Sequence, residues 1–159
     1  MRENMGLYRG KKLKTSVFDE TDWIYGSLID SGNHEQVAIY PWYDGASTMS
    51  VRQLVYARME GVKPETVGQF TGKTDIGGMK IFEGDIVIFK DCYDGQRKGI
   101  VRYCAPEFIV EVPGRFAYHH RLIDSEHIND GKCSFTAKYK YKIIGNIHDN
   151  AELLKEAAQ

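Results

Sequence analysis

The feature that most restricts this chain is a succession of short apolar runs, each closed by a turn, from Val67 to Val112. Val67-Gly68-Gln69-Phe70 and Met79-Lys80-Ile81-Phe82 flank a polar connection bearing Gly72, Asp75, Gly77 and Gly78, the pattern of a long hairpin. Glu83-Gly84-Asp85 then turns the chain into Ile86-Val87-Ile88-Phe89. A charged loop, Asp91 to Gly99, leads to Ile100-Val101-Arg102-Tyr103, and Phe108-Ile109-Val110-Glu111-Val112 follows before Pro113-Gly114. Runs too short for helices, spaced this way, predict a small β-barrel with the alternate residues of each strand turned inward.

The rest of the chain agrees with a mainly β protein. Trp23 to Ile29 reads as a strand in which Gly26 marks a bulge or a close backbone approach. Asp30-Ser31-Gly32-Asn33 is a turn, and Gln36 to Tyr40 completes a hairpin that Pro41 limits. Two periods fit Ser50 to Gly61. Ser50 and Gln53 make a capping box over a face of Val51, Leu54, Val55 and Met59, with Gly61 as the stop, while alternation over Gln53–Arg58 also fits a strand; the helix is preferred. Residues 115–134 read as polar and irregular, Phe135 to Ile144 as one long strand, and Ala151 onward as a short helix capped by Asn150. The expected division is an N-terminal strand-rich region, 1–66, and a barrel region with the C-terminal helix, 67–159, packed as one compact unit.

Lys and Arg number 21 against 22 Asp and Glu, so no global field draws the chain onto nucleic acid, and such binding needs a local patch. There is no run of about 18 apolar residues and no signal-peptide core at the N-terminus, so neither membrane spanning nor secretion is expected. Cys92, Cys104 and Cys133 form no C-x-x-C pair, which fits a reducing cytosol better than a disulfide framework or a zinc knuckle.

Four blocks together resemble the YopX family of phage and prophage proteins: Trp23-Ile24-Tyr25-Gly26, then Pro64 to Gly72, then Ile81-Phe82-Glu83-Gly84-Asp85-Ile86-Val87, and Ile144-Gly145-Asn146-Ile147 before Asn150 to Leu154. They run in family order from about Arg9 to Leu154. The chain departs from the pattern between Tyr40 and Glu60, and at Ala151, where the family usually has proline. The resemblance implies a strand-rich fold with a small barrel of the Src-homology type, acting in the cytoplasm of a bacterial host. It implies no catalytic residue, cofactor or ligand.

Local motifs give four candidate sites. Gly68-Gln69-Phe70-Thr71-Gly72-Lys73-Thr74 resembles a phosphate loop but has three residues between its glycines where four are needed, so a hairpin is preferred. Glu83 and Asp85 have the spacing to share a strand face and a cation, yet Gly84 between them favours a turn in which the carboxylates accept backbone amides. His119, His120, Asp124, Glu126, His127 and Cys133 offer metal-binding atoms without a zinc spacing, and a solvated loop is preferred. Neither Cys104 nor Cys133 has a setting that would activate a thiolate. No metal, cofactor or catalytic residue is therefore expected.

Lys138-Tyr139-Lys140-Tyr141-Lys142-Ile143 alternates strictly. In one strand it would set three ammonium groups about 6.6–6.8 Å apart, near the phosphate spacing of an extended single strand. Arg97, Lys98 and Arg102 would extend that face. A lysine-guarded sheet edge is the plainer reading. The expected function is a non-enzymatic phage accessory or regulatory protein that binds a host or phage protein, the alternative a nucleic-acid-binding module built on these cations. Self-association stays open beside both.

Overall fold

The computed structural model describes residues 6–13, 23–32, 35–41, 48, 50–90, 95–114, 118–129 and 134–158. The chain divides into two compact units, residues 1–70 and 71–159. Both are mainly antiparallel β-structure.

The first unit holds β1 (Tyr8–Lys11), β2 (Trp23–Asp30), β3 (Val37–Pro41), a helix α1 (Val51–Arg58), β4 (Glu60–Val62) and the start of β5 (Gly68–Thr74). The strands lie in the order β4-β3-β2-β1-β5. The predicted hairpin is β2–β3, paired from Gly26↔Pro41 to Asp30↔Val37. In its turn Asp30 Oδ1 accepts the Gly32 amide at 2.8 Å. Gly26 is a close approach, since a Cβ there would lie 1.9 Å from the carbonyl oxygen of Tyr40. Strand β1 was not expected from the sequence. It pairs with β2, and a bridge from Lys12 to Val62 ties its end to β4. Ile24, Ile39 and Val62 form the core between these strands. A 3₁₀ turn, Pro64–Thr66, is tied to β1 because Thr66 Oγ1 accepts the Lys11 amide at 2.9 Å and donates to the Lys63 carbonyl at 2.7 Å.

Helix α1 carries the predicted capping box, with the Ser50 amide donating to Gln53 Oε1 at 3.0 Å and the Gln53 amide to Ser50 Oγ at 3.4 Å. Its expected apolar face is not buried: Val51 is 78% exposed and Met59 42%. Gly61 is not the stop either, for Met59 closes the helix in extended conformation and Gly61 belongs to β4.

The second unit holds the rest of β5, β6 (Lys80–Phe82), β7 (Asp85–Lys90), β8 (Gln96–Cys104), β9 (Glu107–Val112), β10 (Tyr118–Arg121), β11 (Ser125–Asn129), β12 (Ser134–Lys138), β13 (Lys142–Asn146) and a C-terminal 3₁₀ helix (Ala151–Ala158). The hairpin predicted across Asp75 is β5–β6. Five strands form a sheet in the order β10-β9-β8-β7-β13, and β11 pairs β12. The expected closed barrel is not found among the described residues, because β10 and β13 are the ends of that order. Val87, Phe89, Val101 and Val110 turn into one core with Ile81 and Leu122, but the expected alternation is not strict, since Ile86 is buried beside Val87 and Ile109 beside Val110.

Four expectations are corrected here. Residues 115–134 are not irregular throughout, since β10 pairs β9 from Tyr118↔Val112 to Arg121↔Ile109 and β11 lies in the same stretch. Gln96 to Gly99, read as loop, is the start of β8 opposite β7. The C-terminal helix is 3₁₀, and the Asn150 carboxamide reaches back to the Asn146 amide at 3.3 Å. Phe135 to Ile144 is two strands with different partners. Among the described residues no helix is long and apolar enough to cross a membrane.

Replacing Gly26 by alanine is expected to destabilise the first unit by about 3 kcal/mol, because β2 and β3 must part to admit the methyl group. Urea denaturation of the variant beside wild type checks this, and an unchanged midpoint would contradict the close approach.

Candidate functional site

The Lys138–Ile143 stretch keeps the predicted alternation in burial and loses it in pairing. Lys138, Lys140 and Lys142 are exposed, whereas Tyr139 and Tyr141 retain 7% and 3% exposure. Strand β12 ends at Lys138, opposite Ser125, and β13 begins at Lys142, opposite Ile88. Between them the backbone bonds to loops: the Tyr139 amide donates to the Asp124 carbonyl at 2.8 Å, and the Ile76 amide to the Tyr141 carbonyl at 2.9 Å. The three lysines therefore do not form a row along one strand. Lys140 lines a small hollow with Asp75 and Asp124, so carboxylates share its surroundings. Asp124 is itself ion-paired with Lys73.

Off the ladder, the two tyrosines place their rings in the core. His120, 4% exposed, stacks on Phe89 with centroids 4.6 Å apart and meets the Tyr139 ring edge-on at 4.3 Å. Its Nε2 lies 3.1 Å from the Tyr141 hydroxyl, which donates to the Ile123 carbonyl at 2.9 Å. This corrects the solvated-loop reading for His120, which lies on strand β10 and is buried. The side chains of His119, Glu126 and His127, and all of Cys133 and Cys92, lie outside the described residues. Among the described residues no group of three or more His, Cys, Asp or Glu is placed to hold a metal. Cys104 is exposed at the end of β8.

Glu83 and Asp85 do what the glycine between them suggested. The buried Asp85 carboxylate accepts the Phe82 amide at 2.8 Å, and Glu83 Oε1 accepts that of Tyr103 at 3.3 Å. Gly84, at φ 83°, donates to the Val101 carbonyl and accepts from the Ile147 amide, each at 2.9 Å. Residues 68–74, the phosphate-loop look-alike, are strand β5.

Sequence reasoning treated Asp75 only as a turn residue and missed its longer reach. Its Oδ1 accepts the amides of Gly77 and Met79 at 2.8 and 2.9 Å, and its Oδ2 accepts that of Ile143 at 3.2 Å. Burial alone would raise the carboxyl's pKa. The amides of Met79, Ile143 and Gly77 and the charge of Lys142 outweigh that effect and hold it below the ordinary 3.8.

Of the remaining cations, Arg102 is paired with Glu111, Nε to Oε2 at 3.0 Å, and in the next pair along the strands Arg121 meets Glu107 at 2.6 Å. Lys98 is different. It stands opposite Ile88, which stands opposite Lys142, so two lysines from β8 and β13 share a face with an isoleucine between them. Two strand spacings put their backbones about 9–10 Å apart. At this place the sheet carries an open groove of about 520 Å³. Ile88, Val112, Pro113, Ile144 and Leu153 supply its apolar lining, and Gln96, Arg97 and Lys98 the polar one. The groove thus takes in Arg97 and Lys98, Lys142 stands beside it across Ile88, and Arg102, Lys138 and Lys140 lie elsewhere.

A two-unit, mainly β antiparallel protein with a cation-lined groove on its second sheet is the class these features define. The chain belongs to the YopX family, whose model, described as YopX protein, matches residues 14–155. No curated protein matches it.

The lowered pKa of Asp75 has a definite sign in stability. The carboxylate's contribution is complete above its unfolded value near 3.9 and is lost as pH falls through the lower folded value. Asp75→Asn is expected to destabilise the protein at pH 7 and to flatten the loss of stability below about pH 4. Urea midpoints from pH 7 to about pH 2 would show it, and parallel acid limbs for variant and wild type would contradict it.

Proposed function

We propose that this protein is a non-enzymatic phage or prophage accessory or regulatory protein, a β-rich module that binds a host or phage protein in the bacterial cytoplasm. The groove over β7, β8 and β13 carries this reading. Its five apolar residues are each only partly covered, and such surface beside cations suits association with another macromolecule. A binding module needs only such a surface. The family blocks around Glu83-Gly84-Asp85 and Ile144 to Ile147 lie at the strand junctions that frame this sheet, which favours a role for its form. We read the sheet as an opened barrel of the Src-homology type. Its first strand, β7, lies between its second, β8, and its last, β13, an order that supports this reading.

The test is a photo-crosslinking residue at Gln96, exposed at the groove, carried into extract of infected or lysogenic host cells. A discrete crosslinked protein that disappears with Lys98→Glu is expected, and crosslinks to nucleic acid alone would overturn the proposal.

One observation favours a nucleic-acid reading as second choice, the exposure of Lys138, Lys140 and Lys142 together. Changing all three to Gln is expected to leave nucleic-acid binding weak and its salt dependence nearly as it was. A log-salt slope reduced by about three contacts' worth would make this reading the better one.

A further inference from the structure

We infer that the groove beside Lys98 takes an acidic segment of a protein partner, one in which Asp or Glu alternates with aliphatic side chains. The inference rests on the protein-binding reading above and names the class of partner. Charge complementarity is its basis. Among the described residues, the charged ones lining the groove, Arg97 and Lys98, are basic and none is acidic. Lys142 stands on the same face across Ile88. Carboxylates elsewhere on the sheet are engaged: Glu111 with Arg102, Glu107 with Arg121. Asp75, the carboxylate that Lys142 acts on, is held by the amides of Gly77, Met79 and Ile143.

The apolar lining separates a protein segment from the other polyanions. Bases of a single strand bind by stacking on aromatic rings, worth about 1–3 kcal/mol each. Among the described residues the lining, Ile88, Val112, Pro113, Ile144 and Leu153, offers aliphatic surface and no aromatic ring, so a nucleic acid would gain there from the cations alone. A peptide with Leu or Ile beside Glu uses both halves of the lining. The volume, about 520 Å³, is in the range of ligand-sized sites and takes a few side chains.

Fluorescence anisotropy of the full chain tests this with four labelled probes: a short peptide alternating Glu with Leu, the same peptide with Lys for Glu, the same with Ser for Leu, and an oligothymidylate of equal charge. The Glu-Leu peptide is expected to bind best, to weaken with added salt, and to lose about tenfold in affinity with Arg97→Glu/Lys98→Glu. Lys140→Gln, outside the groove, should leave it unchanged. The salt titration on wild type serves even if the double variant folds poorly. Equal binding of the Lys or Ser peptide, or tighter binding of the oligothymidylate, overturns the inference. If that happens while the Gln96 crosslink still captures a protein through Lys98, the partner class is wrong and the protein-binding reading stands. If the crosslink fails as well, both fall.

Discussion

One carboxylate sets the layout of the second unit. Asp75 collects three backbone amides, two from its own turn and one from Ile143, at the head of β13. Backbone amides that have lost a strand partner must find another acceptor, and a negatively charged oxygen is a strong one. With the Ile76 amide bonded to the Tyr141 carbonyl, the β5–β6 turn is stitched to the point where β12 gives way to β13. That junction starts β13 at Lys142, opposite Ile88. The position of Lys142 beside the groove follows from it.

The same junction explains how a histidine is accommodated in an aromatic core. A buried imidazole needs a polar partner, and a core of Val, Ile and Phe has none to give. Tyr141 brings a hydroxyl inward to Nε2 of His120 and donates a hydrogen bond to the Ile123 carbonyl, while the ring of Phe89 covers the imidazole. Two successive inward tyrosines separated by one residue are what a strand period provides, although the strand ladder is interrupted there. Core filling kept the alternation after the hydrogen-bond ladder had been given up.

Several of the described acidic residues of the second unit are engaged within it. Asp85 and Glu83 hold turn and strand amides, Asp75 holds the hairpin, and Glu111 and Glu107 neutralise arginines. A chain with nearly balanced charge has no long-range field, yet this distribution of its carboxylates leaves a basic lining at the groove. The balance of the whole composition was therefore a poor guide to the sign of this lining.

The sequence by itself determined the elements whose cause is local. The β2–β3 hairpin followed from Asp30 to Asn33, the α1 cap from Ser50 and Gln53, and the backbone-binding role of Glu83 and Asp85 from the glycine between them. Each depends on hydrogen bonds within a few residues. The tight approach at Gly26 was one of the two readings open to a glycine inside a strand, the other being a bulge, and the contact with the Tyr40 carbonyl decided between them. Tertiary structure decided the rest. That β10 is a strand with His120 buried depends on Phe89 and Tyr141, far away in sequence. The split of the predicted long strand goes with Asp75 and Ile76, whose partners, the Ile143 amide and the Tyr141 carbonyl, lie beyond residue 140. The face shared by Lys98 and Lys142 arises only when β8 and β13 pair on either side of β7, since strand order brings together cations that no spacing along the chain relates.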